Sequence, residues 1–110
     1  MDTATPKDLE RLDLKVATIV RAEPNAGARD PAICLWLDVG GEGIVQSSAK
    51  ITDGYKATEL IGRQVVIVGG FDPIRVGGFR SDVLVLGALG GDGVRLLSID
   101  GRVEPGTPIA

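Results

Sequence analysis

The sequence predicts a small all-β domain spanning residues 1–110, and three observations carry that reading. Val, Ile and Leu supply most of the apolar content, while aromatics make up only 4%; β-branched residues favour the pleated, half-buried surface of a strand. Glycine is abundant, at 16 residues, with no fixed period, which suits turns and excludes a collagen-like chain. Apolar residues alternate or run together in segments of strand length, bounded by Gly, Pro, Asn and Asp. A chain this short supports one core and buries roughly 60–70% of the surface it exposes when unfolded.

Each element follows from its residues. Thr5 to Leu12 reads as a short helix, with Thr5 as cap, Pro6 at the first position and Asp8 near the positive end of the dipole. Leu9 and Leu12 share one face, and a helix of two turns needs a surface for them to dock on. Leu14–Glu23 is a first strand, followed by a turn at Pro24-Asn25-Ala26-Gly27. Pro31 opens a second strand, with Ile33, Leu35, Leu37 and Val39 on one face and Ala32, Cys34, Trp36 and Asp38 on the other. Gly40-Gly41-Glu42-Gly43 turns the chain into a third strand, Gly43–Ala49. Ile51–Leu60 is helical in character and ends at Gly62. Arg63–Phe71 is apolar on both faces, so it is expected to be covered on both sides. A loop with Pro73 and Gly77-Gly78 leads to Val83–Leu89, and Gly90-Gly91-Asp92-Gly93 turns the chain into Val94–Ile99. Glu104–Pro108 is an irregular tail. Three strands, a helical insert, two strands and a tail is the order of a five-stranded Greek-key OB barrel; a β-sandwich normally uses more strands.

The formal net charge is −3, which argues against a nucleic-acid partner. The charge is uneven, however. Across residues 46–82, Lys50, Lys56, Arg63, Arg75 and Arg80 outnumber Asp53, Glu59, Asp72 and Asp82, and local potential governs binding more than the total does. One cysteine and no histidine leave no internal disulfide, no metal centre and no Ser-His-Asp or Cys-His arrangement. There is no phosphate-cradling P-loop, and Gly41-Glu42-Gly43 fails as a dinucleotide fingerprint because Gln46 stands where the third glycine belongs. Asp38, Asp82 and Asp100 sit at strand ends and assemble no catalytic constellation. The expectation is a non-enzymatic, cofactor-free protein of the cytoplasm with no membrane-inserted segment.

The segment Gly70–Gly87 is the most informative. Arg75 and Arg80 stand beside Phe71, Phe79 and Ser81, a set suited to phosphate and stacked base and equally to an extended peptide. Ser47, Ser48 and Lys50 at the end of the third strand can bind phosphate or satisfy the local backbone. Trp36 fits a barrel wall or subunit contact better than a stacking platform. Phe71 and Phe79 either face a ligand or plug the barrel ends. Cys34 reads as a small buried hydrophobe.

Ordered blocks carry a family resemblance along nearly the whole chain. They are Asp13-Leu14-Lys15-Val16 with Thr18-Ile19-Val20, Ala28–Leu35, Asp38-Val39-Gly40, Gln46–Thr52, Tyr55-Lys56, Leu60–Val65 and the Gly70–Gly87 segment. In these the sequence resembles the CsaA-type members of the tRNA-binding-domain family, whose relatives occur in methionyl- and phenylalanyl-tRNA synthetases. The resemblance implies an OB fold, a homodimer built partly from the chain termini, tRNA binding, and an export-chaperone role through peptide binding. The family loop reads Asn-Phe-Pro-Pro-Arg-Arg-Ile. Here Gly70 replaces Asn, Asp72 the first Pro and Ile74 the first Arg, leaving the loop two charge units less positive. Two readings follow. In the first, Arg75, Arg80 and Lys50 hold tRNA phosphates while Ser47, Ser48 and Ser81 bond the ribose-phosphate chain. In the second, Trp36, Phe71 and Phe79 line a peptide-binding or dimer surface.

Overall fold

The structure, a computed structural model, describes residues 2–110. Its centre is a five-stranded antiparallel sheet built from β1 (Asp13–Pro24), β2 (Ile33–Asp38), β3 (Ile44–Ala49), β4 (Gln64–Gly69) and β7 (Leu84–Val85), in the order β3-β2-β1-β4-β7. The sheet curls until its two ends approach. At the seam two hydrogen bonds join Asp82 to Gln46: the Asp82 N–H donates to the Gln46 carbonyl at 2.8 Å, and the Asp82 side-chain carboxylate accepts the Gln46 N–H at 2.9 Å. This is the expected OB barrel.

β1 serves two partners because it is long and bent. Its first half pairs with β4 and its second half with β2, and the register slips between Ile19 and Arg21. The extra residue, Val20, is 45% exposed. Such a bulge bends a strand and increases its twist, which lets one strand cross from one side of the barrel to the other. Ala17, Ile19, Leu35, Leu37, Leu60, Val65 and Ile67 fill the interior beneath it.

Four elements differ from the sequence reading. The Gly40–Glu42 segment is a single 3-10 turn, and β3 begins at Ile44. The insert between β3 and β4 is helical only over α2 (Ala57–Leu60), because Ile51–Gly54 closes as turns instead. The arginine loop is a hairpin, β5 (Ile74–Val76) with β6 (Phe79–Ser81). Its two-residue turn is Gly77-Gly78, at φ +60° and +83°, the left-handed pair that matches strand twist in tight hairpins. Finally, the single fifth strand expected over Val83–Leu89 breaks into β7 and β8 (Gly87–Gly90), and β8 leaves the barrel to pair with β9 (Gly93–Leu96).

The tail is less irregular than its composition suggests. The Gly106 N–H donates to the Val16 carbonyl at 2.7 Å, the Val16 N–H to Thr107 at 2.9 Å and the Ile109 N–H to Leu14 at 2.9 Å. It therefore covers the free edge of the first half of β1. Only glycine fits at 106, where φ is +87° and a Cβ would lie 2.2 Å from the Val39 carbonyl oxygen. Beside the tail lies α1 (Pro6–Glu10), opened by a 2.8 Å hydrogen bond from the Thr5 N–H to the Asp8 carboxylate. Leu9 and Leu12 remain about half exposed.

Candidate nucleic-acid interface

The β5–β6 hairpin stands apart from the main sheet, and its alternation sorts its side chains. Ile74 and Val76 pair with Ser81 and Phe79, while Arg75 pairs directly with Arg80 on the opposite face. Arg75 and Arg80 are exposed, whereas Ser81 is buried. Like charges placed directly across a ladder repel, and the two arginines relieve this differently. Arg80 Nε donates to Asp82 at 2.8 Å. Arg75 Nη1 donates to the Gly78 carbonyl at 2.9 Å, and among the described residues no carboxylate pairs with it. The result is an outward guanidinium pair with one charge uncompensated.

Lys50 is held by an ion pair to Asp30 at 3.1 Å, with both side chains well exposed. Such a pair contributes little and gives way readily to a stronger anion. Ser48 is half-buried, and its hydroxyl accepts from Asn25 Nδ2 at 3.0 Å.

Ser47 and Ser81 are corrected by the structure. Each is 1% exposed, so neither hydroxyl reaches a ligand. The Ser81 hydroxyl donates to the Val83 carbonyl at 3.2 Å and accepts the Ser48 N–H at 3.3 Å, with the Ser47 hydroxyl 3.3 Å away. Together they satisfy the seam where β3 meets the end of β6.

The aromatics divide as well. Trp36 and Phe79 meet edge to face, with ring centroids 5.2 Å apart. Arg21, directly across the ladder from Trp36, lays its guanidinium 4.3 Å from the indole ring. Phe79 therefore docks the underside of the hairpin on β2 rather than plugging the barrel. Phe71 is 39% exposed and plugs nothing. Cys34 is buried, and burial first, with the Glu23 charge second, raises its pKa and keeps the thiol protonated. Asn25, Gln46 and Arg21 also shape this site and were not singled out from sequence. Among the described residues no group of three or more His, Cys, Asp or Glu gathers to hold a metal ion.

The surface also carries two apolar grooves. One, of about 350 Å³, is lined by Ser48, Lys50, Ile51, Leu84, Leu89 and Val94, and its Leu89 is 88% exposed. The other, of about 370 Å³, lies between the termini against Leu9, Leu12, Leu14, Pro108 and Ile109.

The family described as "Putative tRNA binding domain" matches residues 14–108. The chain belongs to that family. It is 33% identical over 106 residues to the methionine–tRNA ligase of Thermotoga maritima, a match spanning 96% of this chain and 16% of the ligase. The chain thus spans about a sixth of that relative. Among solved structures it superposes on the chaperone CsaA of Bacillus anthracis with a TM-score of 0.92 at 44% identity, covering 99% of this chain and 100% of that one. The CsaA chaperone protein of Picrophilus torridus gives 0.92 at 41%, covering 98% and 100%. The CsaA-type resemblance and the OB fold are both upheld. No helix of the described residues is long and apolar enough to cross a membrane.

Proposed function

We propose that residues 1–110 form a single, non-catalytic tRNA-binding domain that grips structured RNA through its phosphate backbone. The observation that carries this reading is the outward Arg75–Arg80 pair, whose mutual repulsion a bridging phosphate would relieve. Lys50 adds a further phosphate contact by exchanging Asp30 for RNA, and the half-buried Ser48 supports that strand end. With few side chains free to read base edges, recognition is directed mainly by shape, in the cytoplasm where tRNA resides. Arg75→Ala and Arg80→Ala should each weaken binding to all tRNAs alike and make log K less salt-dependent by roughly 0.7–0.9. The fold should tolerate both changes, since exposed arginines contribute little to stability. Filter binding of bulk tRNA across a salt series reads both quantities. Wild-type affinity and slope in both variants would overturn the assignment.

A second, chaperone reading is favoured by the groove at Leu84 and Leu89, a surface for apolar segments of unfolded polypeptide, and by the CsaA chaperones that share the fold. Polypeptide binding there would be nearly insensitive to salt. The groove between the termini fits a homodimer, because two copies packing Leu9, Leu12 and Ile109 together would supply the surface α1 lacks. Sedimentation at micromolar concentration should give a dimer, and a monomer alone would refute it.

A further inference from the structure

We propose that Asn25 is a positioning residue that latches the arginine hairpin to the barrel in the orientation that meets RNA; this rests on the tRNA-binding reading above. A hairpin with three residues in each strand is marginal on its own, so its placement depends on what holds it. Asn25 reaches it through one side-chain amide. Its Nδ2 donates to the Val76 carbonyl at 2.9 Å and to the Ser48 hydroxyl at 3.0 Å, joining β5 to β3. Its Oδ1 accepts the Gly27 N–H at 3.2 Å, and its own N–H donates to the Ala32 carbonyl at 2.9 Å, which fixes the β1–β2 loop that carries it.

Steric fit completes the latch. Beside Asn25, Gly27 packs backbone to backbone on Gly77 at the hairpin turn. A Cβ on Gly27 would lie 2.3 Å from the Gly77 carbonyl oxygen, and one on Gly77 would lie 2.3 Å from the Gly27 carbonyl carbon. Only paired glycines allow the loop and the turn to approach this closely. The Val76 carbonyl that Asn25 binds lies between Arg75 and that turn, so losing the bond frees the strand that aims Arg75. Binding would then have to order the hairpin, and that cost lowers affinity without removing any phosphate contact.

The test compares Asn25→Ala and the same-sized, apolar Asn25→Leu with wild type, alone and in the Arg75→Ala/Arg80→Ala background. Bulk tRNA affinity should fall about three- to tenfold, with the salt slope unchanged, in contrast to the arginine variants. In the arginine-free background the Asn25 substitutions should cost almost nothing further, because a residue acting through another is not additive with it. Amide hydrogen exchange should accelerate across residues 75–81 while β1, β2 and β4 keep their protection. Wild-type affinity in the Asn25 variants, or a loss that adds in full to the arginine loss, would overturn the proposal. If wild type binds no tRNA, the functional reading falls by itself. The latch is then judged by exchange alone, and unchanged protection at the hairpin sinks it.

Discussion

Removing the two acids around Lys15, by Asp13→Asn together with Glu42→Gln, is expected to destabilise the protein by about 1–3 kcal/mol, whereas Lys15→Met costs far less. Lys15 shares the inward parity of Ala17 and Ile19 on β1, and its side chain is only 8% exposed. Its ammonium lies 2.9 Å from Asp13 and 2.8 Å from Glu42, whose side chains are 54% and 72% exposed. Taking away the acids strands a buried charge. Taking away the lysine leaves two carboxylates already in water and replaces a charge with apolar volume, a change that is often neutral or favourable. The pH dependence is distinctive. Burial lowers the Lys15 pKa, but hydrogen bonds to Glu42 and Asp13 and their charges outweigh it, holding the group above its ordinary 10.5. Its contribution is therefore complete below that value and is lost as pH rises through the folded-state pKa. Denaturant unfolding at neutral and strongly alkaline pH checks both statements; equal losses in the two variants would contradict the asymmetry.

Much of the barrel was legible because strands in a covered sheet are written in apolar period, and β2 and β4 show it. What was not legible depended on contacts distant in sequence. The bulge at Val20 is forced by β1 serving β4 and β2 in turn, a demand no local pattern in Leu14–Glu23 reveals. Ser47 looked like a ligand group, yet it pairs with Leu35, which faces the core. Once that register is known, the inward direction of Ser47 follows, along with Val45 and Ala49 on either side of it. Asn25 looked like a turn residue, and its amide partners lie 23 and 51 residues away. The hairpin is a different case. Gly77-Gly78 between Val76 and Phe79 is a two-residue turn signal, and the short strands around it hid it. Gly70, standing where the family has Asn, has φ +92°, beyond the left-handed well that Asn visits, and a Cβ there would lie 3.2 Å from the Arg11 carbonyl oxygen, so this backbone suits glycine.

The other two departures bear on charge, and reversing them should strengthen RNA binding. Asp72→Pro with Ile74→Arg removes one anion and adds one guanidinium per chain, making the hairpin entry two units more positive. The structure accommodates both. Asp72 is exposed and precedes the β5–β6 ladder, and Pro73 already restricts it to the extended geometry that proline adopts. Ile74 is 53% exposed at the start of β5, beside Asp72 and Pro73 and on the hairpin face opposite Arg75, so arginine there gives up little buried area while adding a bidentate phosphate donor on a stem long enough to reach round the hairpin edge. If the change is worth about two phosphate contacts, log K should become steeper in salt by roughly 1.4–1.8. The advantage over wild type should then shrink by about tenfold between 50 and 200 mM salt, as counterion release and screening predict. Titration of bulk tRNA at those two concentrations measures it. A double variant that unfolds at the wild-type temperature yet binds tRNA no better at low salt would show that the hairpin entry does not meet the RNA. The groove at Leu84 and Leu89 would then become the surface to probe, with unfolded polypeptide as the ligand.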